Sequence, residues 1–129
     1  MYNRKFTPTH ITRLAENEIF VFGSNLAGMH GGGAARFAYI HFGAVSGEGV
    51  GLHGQTYAIP TMHGGTDVIK PYVDQFIQFA REHSHFTFLV TPIGCGIAGF
   101  TPSQIAPLFA DAIDVENIIL PREFVINIK

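Results

Sequence analysis

Two glycine-rich segments carry the residue types best suited to holding an anionic ligand. The first covers residues 23–33 and ends in three consecutive glycines, and the second covers residues 92–100. Because glycine has no Cβ, a ligand can approach the backbone of such a segment, and several N–H groups can converge on one phosphate. The Gly-Lys-Ser/Thr ending of a Walker loop is absent, and the dinucleotide-binding fingerprint is not properly matched. The pattern predicts a pocket of two loops that binds the phosphates of a nucleotide-like ligand.

Each glycine-rich segment is predicted to join a strand to a helix. The apolar run at residues 18–22 predicts a buried strand before the first segment, and small apolar residues at 34–41 predict a helix after it. Residues 86–90 predict a strand before the second segment, and a helix is expected to begin at Thr101 and run to Asp111. In open sheets of parallel strands, ligands bind at the carboxyl ends of strands, near helix N-termini. We therefore expect both segments at one edge of a sheet.

The rest of the chain predicts further elements of the same alternating kind. They are a short helix beginning at Thr9 or Thr12, a loop at 43–56, a strand at 56–60, an amphipathic helix at 66–82, a strand at 117–120, and an extended tail or edge strand at 124–128. Recurring strand, glycine loop and helix favour a mostly parallel sheet with helices on its faces. The expected fold is α/β, a single three-layer domain over residues 1–129 with a mostly parallel mixed sheet flanked by helices.

Composition restricts the partners of this domain. The chain has a formal net charge of −2 with eight scattered basic residues, which does not suit binding to duplex nucleic acid. A single cysteine excludes an internal disulfide framework, and no leader or apolar run of membrane-spanning length is present. These features predict a cytoplasmic protein without a membrane partner. They leave its oligomeric state open.

The titratable side chains offer a few candidates for catalysis and no pattern typical of a metal site. The seven histidines are dispersed without the spacing of a metal site, so no metal and no cofactor is expected. Cys95 has two interpretations: a small side chain beside a phosphate, or a nucleophile of lowered pKa with His30 or His53 as its base. Glu48 is the first carboxylate that follows the glycine run in the chain, and it is a candidate acid.

The two glycine-rich segments together resemble those of a macrodomain, the α/β module that binds ADP-ribose and related nucleotide derivatives, and especially a compact bacterial and phage branch. Gly23-Ser24-Asn25 followed by Gly31-Gly32-Gly33-Ala34 is similar to the family's first loop. Ile93 to Phe100 is similar to its second loop, which has an apolar-x-x-Gly-apolar-x-Gly pattern. The likeness covers residues 18–112. The chain departs from the family in two respects: Ala34-Ala35-Arg36 offers no acid after the glycines, and the acidic residue that reads adenine in the family, usually near the first strands, is not identifiable.

The resemblance implies a role for each loop. Asn25 would bond the distal ribose, residues 31–33 would lie along it, and residues 94–100 would hold the diphosphate. If the chain is a hydrolase, Asn25 and His30 are the candidate catalytic residues that orient a water. From the residue pattern itself, Phe100 is also expected to pack on a sugar or base. The predicted ligand-binding residues are Gly23, Ser24, Asn25, Gly31, Gly32, Gly33, Ala34, Ile93, Gly94, Cys95, Gly96, Ile97, Ala98, Gly99 and Phe100.

Three functions remain open at this point. The chain could bind an ADP-ribose-type small molecule or an ADP-ribosylated target. It could instead hydrolyse ADP-ribose, or a phosphate of it, from a protein, nucleic acid or small molecule. A third possibility is a protein-interaction domain that kept the fold and lost the ligand.

Overall fold

One mixed sheet of five strands organises the molecule, whose computed structural model describes residues 6–128. The strands are β1 (Glu18–Ser24), β2 (Gly51–His53), β3 (Thr56–Pro60), β4 (Thr87–Val90) and β5 (Ile118–Ile119). They lie in the order β2-β3-β1-β4-β5. β1 pairs in parallel with β3 and β4, β4 pairs in parallel with β5, and β2 is antiparallel to β3 at one edge. The parallel strands β1, β3, β4 and β5 therefore all have their carboxyl ends on the same side of the sheet.

Helical segments lie between these strands and after the last of them. They are α1 (Gly33–His41), α2 (Thr66–Arg81), α3 (Pro102–Ile105), a 3₁₀ helix (Ala106–Ala112) and α4 (Arg122–Ile128). Pro71 is accommodated in α2, and Asp67 and Arg81 complement the dipole at its two ends. No helix within residues 6–128 is long and apolar enough to cross a membrane.

β1 is buried on both faces. Successive side chains of a strand point to opposite faces, so Ile19 and Val21 join one apolar cluster while Phe20 and Phe22 join another. The first cluster is completed by α2, the 3₁₀ helix and α4, and the second by α1 and the segment before β1. Helices or chain cover the sheet on both sides, which confirms the predicted three-layer α/β fold.

Four predictions of local structure are wrong. Residues 6–15 contain no helix, and the expected loop at 43–56 includes strand β2. The single helix expected up to Asp111 is a four-residue α3 followed by the 3₁₀ helix. The tail at 124–128 is not extended but forms most of α4, because Phe124 and Val125 bury their side chains in the first apolar cluster. Tertiary packing here overrides the strand propensity of Val and Ile.

Tyr57 predicts how stability depends on alkaline pH. Its ring packs against Phe76 and Phe79, with centroids 5.0 and 5.2 Å away, and burial raises its pKa from 10.0 to about 12. The neutral phenol therefore stabilises the fold fully below pH 10, and this contribution is lost as the pH rises towards 12. We expect the unfolding free energy to fall by up to about 1.4 kcal/mol per pH unit in that window. Urea unfolding at pH values from 9 to 12 measures this decrease in the unfolding free energy. Tyr57→Phe should remove the part of the pH dependence that Tyr57 causes, and an unchanged pH dependence in this variant would refute that role of Tyr57.

Candidate functional site

A cleft of about 320 Å³ lies at the carboxyl ends of β1, β3 and β4. Both glycine-rich loops and the residues that follow β3 form its walls. The lining residues are Gly23, Ser24, Asn25, Met29, Gly32, Gly33, Ala34, Ala35, Thr61, Met62, Thr91, Pro92, Ile93, Gly94, Gly96, Ile97 and Ala98. The parallel pairing of β1 with β3 and β4 brings these distant segments together. The volume lies within the usual range for small-molecule sites.

Free backbone N–H groups are the main polar feature of this cleft. Two sets of backbone N–H groups in the lining donate no hydrogen bond to any group of residues 6–128. The first set is at the N-terminus of α1, namely Gly32, Gly33, Ala34 and Ala35, and the second set is in the other loop, namely Gly94, Gly96, Ile97 and Ala98. Orphan N–H groups at a helix N-terminus and in a turn are suited to an anion. The α1 dipole favours negative charge at the same place.

Three internal hydrogen bonds shape the second loop around these donors. Cys95 N donates to Pro92 O (3.2 Å), Gly99 N to Gly96 O (3.0 Å), and Phe100 N to Gly94 O (2.8 Å). These bonds fold the loop into successive turns and leave the remaining N–H groups available. α3 behind the loop has only four residues, so its contribution to anion binding is small compared with that of α1.

Asn25 closes the first loop on itself. Its Oδ1 accepts from Met29 N (2.9 Å) and its Nδ2 donates to Met29 O (3.1 Å). His63 Nε2 accepts a hydrogen bond from Leu26 N (2.7 Å), which fixes the start of the loop to the segment after β3. Asn25 lines the cleft, and its amide retains one further N–H and one further acceptor position for a ligand.

The segment after α1 supports the first loop from behind. Gly47 N donates to Gly28 O (3.0 Å), and the buried Ser24 hydroxyl donates to Gly49 O. Glu48 lies in this segment and faces His53, with 3.7 Å between Oε1 and Nε2. Glu48 is absent from the lining of the cleft, so the structure does not place this candidate acid at the site.

The structure brings most of the predicted ligand-binding residues together. Those that line the cleft are Gly23, Ser24, Asn25, Gly32, Gly33, Ala34, Ile93, Gly94, Gly96, Ile97 and Ala98, and those that do not are Gly31, Cys95, Gly99 and Phe100. Each loop turns, so some of its residues face the cleft and others lie on the far side of the loop. The lining is completed by Met29, Ala35, Thr61, Met62, Thr91 and Pro92.

His30, predicted as a catalytic residue, lies outside the lining of the cleft. It is 8% exposed, and its ring meets the Phe22 ring edge-on at 5.4 Å. Its Nε2 is 3.0 Å from Val45 O, and its Nδ1 has no partner in the part of the chain that the structure describes. These contacts give His30 a packing role, and the structure does not bring it to the ligand site.

Cys95 and Phe100 pack against the core beneath the second loop. Burial raises the pKa of the Cys95 thiol, and the Glu123 carboxylate raises it further, which favours the interpretation of Cys95 as a small packing residue over that of an activated nucleophile. A Cβ on Gly94 would lie 3.5 Å from Phe100 Cδ2, which shows that this ring packs under the loop. Phe100 is therefore not placed to stack on a ligand's sugar or base.

A second cavity of about 450 Å³ adjoins the cleft, since both are lined by Gly33, Ala34, Thr91 and Pro92. Its other walls come from residues 7–12, the rings of Phe20 and Phe37, Pro121 and Glu123. The sequence gives no signal for this cavity, because its walls join the segment before β1 to the start of α4. Glu123 is the one carboxylate in the lining of this second cavity among the described residues.

Charged side chains are unevenly divided between the two cavities. The lining of the cleft contains no Asp, Glu, Lys, Arg or His, whereas the adjoining cavity has Glu123 and His10. Among residues 6–128, no group of three or more His, Cys, Asp or Glu side chains is placed to hold a metal ion. The cleft can therefore bind and orient a ligand through neutral groups of the described residues.

Comparison of the chain with protein-family models found no match, and comparisons with curated proteins and with solved structures found none either.

Proposed function

We propose that the cleft binds ADP-ribose or a closely related nucleotide derivative, with the diphosphate held by backbone N–H groups. The observation that carries this proposal is that two sets of residues with free N–H groups line one cleft. A diphosphate offers many acceptor oxygens and no donor, so it can accept from free N–H groups of both loops. Because peptide groups carry no net charge, an acidic protein can bind such an anion without a cluster of basic side chains.

The adjoining cavity supports a nucleotide rather than a bare diphosphate. It opens beside Gly33 and Ala34, so a ligand whose phosphates occupy the cleft can extend its nucleoside into it. Phe20 and Phe37 offer apolar area to a base, and the Glu123 carboxylate can accept from an exocyclic amino group such as that of adenine. The far end of the cleft, at Asn25 and Met29, is left for the second sugar.

Binding is favoured over hydrolysis by the side chains present. General acid–base catalysis needs a titratable group within hydrogen-bonding reach of the reacting atoms, and no Asp, Glu or His among residues 6–128 lines the cleft. The alternative of a ligand-free interaction domain would be favoured by a blocked cleft. Here Met29 is 72% exposed and Phe100 is outside the lining, so neither side chain fills the space.

Calorimetric titration with ADP-ribose tests the proposal. We expect saturable binding in the micromolar range. AMP and ribose 5-phosphate should bind at least about tenfold more weakly, because each can fill only part of the two cavities. NAD, whose second sugar carries a nicotinamide, serves as a further control. If a folded sample binds none of these compounds at millimolar concentration, the proposal is wrong.

A further inference from the structure

His63 differs from the other hydrogen-bonded histidines of residues 6–128 in the direction of its bond. Its Nε2 accepts from Leu26 N over 2.7 Å, and because a peptide N–H can only donate, this nitrogen must carry no proton. A ring nitrogen lies beside a backbone carbonyl oxygen in three other histidines, namely His30, His53 and His83. A protonated ring still donates to a carbonyl, but neither of its nitrogens can accept. Protonation therefore breaks the bond of His63 and preserves the other three.

The bond from His63 holds a compact turn of the first loop, residues 25–29. Within this turn Gly28 N donates to Asn25 O (3.0 Å), and the Asn25 amide bonds both the N and the O of Met29. The segment after α1 also holds the turn, at Gly28 O. Among the described residues, no other hydrogen bond joins the turn to the segment after β3. Loss of this one bond therefore frees the turn on that side.

The surroundings of His63 leave its ring open to protonation. The residue is exposed to solvent. The titratable side chains on the elements around it are those of His30 in the first loop, Glu48 in the segment after α1 and Asp67 at the start of α2. None of them forms an ion pair with His63, and Glu48 instead faces His53. Within residues 6–128, no carboxylate therefore holds the protonated ring in its place beside the turn.

We propose that His63 is a positioning residue that holds the first loop in its ligand-binding form only while its ring is neutral. This inference rests on the proposed function. Histidine side chains change charge between about pH 5 and 8, so the bond is present at the upper end of this range and is lost as the pH falls. Asn25 and Met29 line the cleft, so freeing their turn lowers the fraction of the protein that is ready to bind. A smaller fraction raises the apparent dissociation constant.

Calorimetric titration with ADP-ribose at about pH 7.5 and about pH 5 tests the inference. We expect the unsubstituted protein to bind about fivefold more weakly at the lower pH, as for the loss of one hydrogen bond between neutral groups. His63→Gln offers an amide oxygen as acceptor at both pH values, so it should lose most of this pH dependence. His63→Leu has no acceptor, and at both pH values it should bind about as weakly as the unsubstituted protein does in acid.

His53→Gln is the matched control for these variants. His53 Nε2 lies 3.2 Å from Val50 O and 3.7 Å from Glu48 Oε1, so protonation strengthens both contacts. We expect this variant to keep the pH dependence of the unsubstituted protein. His10 and Glu123 of the adjoining cavity can also change charge, and any contribution that they make to the pH dependence remains in every variant. Thermal unfolding of each variant confirms that the sample is folded.

Hydrogen exchange of the Leu26 amide, followed by NMR without ligand, tests the bond itself. Its protection is expressed relative to an unstructured peptide at the same pH. In the unsubstituted protein, we expect this protection to be about fivefold lower at the acidic pH, because the N–H has then lost its acceptor. In His63→Gln, the protection should be the same at both pH values.

The possible failures are distinguishable. If the folded protein binds ADP-ribose at neither pH, the proposed function is wrong, and the Leu26 amide alone then decides whether His63 positions the loop. Equally tight binding at both pH values would overturn the inference, and so would an equal loss in acid for His63→Gln. Equal protection of the Leu26 amide at both pH values would also overturn it, because the bond would then not depend on a neutral ring.

Discussion

A Gly96→Val variant is expected to lose at least about 30-fold in affinity for ADP-ribose while keeping its stability. Gly96 lines the cleft, its N–H has no acceptor in the described chain, and a Cβ at this position would meet no atom within 4 Å. The added side chain therefore fits the empty protein, but it occupies space that the phosphates need. Loss of charge-assisted hydrogen bonds to the loop, each contributing about 1.5–3 kcal/mol, sets the size of the effect.

Gly31→Val is the matched control for this experiment. Gly31 belongs to the glycine run, and a Cβ there would also meet nothing within 4 Å, but the residue does not line the cleft. Calorimetry and thermal unfolding of both variants compare the two positions. We expect Gly31→Val to bind like the unsubstituted protein, and equal loss in both variants would show that the ligand does not depend on the free N–H groups of the second loop.

The sequence predicted the cleft because its signals are local. A glycine run between a strand and a helix specifies both the flexibility of the loop and its place at the carboxyl end of the strand. Both loops were predicted correctly as neighbours on this basis. Which residues of each loop face the cleft was predicted less well, since Cys95 and Phe100 are turned towards the core by the hydrogen bonds within their loop. Those turns are not readable from residue types.

Long-range packing produced the features that the sequence did not predict. β2 has three residues, one of them glycine, and is defined only by its antiparallel pairing with β3. α4 consists largely of residues with strand propensity and becomes helical because Phe124 and Val125 pack into the core. The start of this helix brings Glu123 to the cavity beside the cleft. A carboxylate so far along the chain could not have been assigned to the site from its sequence position.

Substitution of Gly28 by alanine is expected to cost at least about 3 kcal/mol of stability, through strain and steric overlap. Gly28 has a φ of +68°, and a Cβ there would lie 2.2 Å from Glu48 N, a backbone atom that cannot move independently. The supporting segment would have to separate from the first loop. Because this segment also bonds Gly28 and Ser24, the separation should disturb Asn25 and weaken ligand binding as well.

Gly47→Ala separates the two causes of this loss. Gly47 has a φ of +89° in the same supporting segment, but a Cβ there would meet no atom within 4 Å, so alanine introduces backbone strain without a clash. Its cost should be about 1–2 kcal/mol. Urea unfolding of both variants gives the difference, which measures how tightly the supporting segment is packed against the first loop. Equal losses in Gly28→Ala and Gly47→Ala would mean that this contact gives way easily, and the first loop would then owe its shape to Asn25 and His63 rather than to the segment behind it.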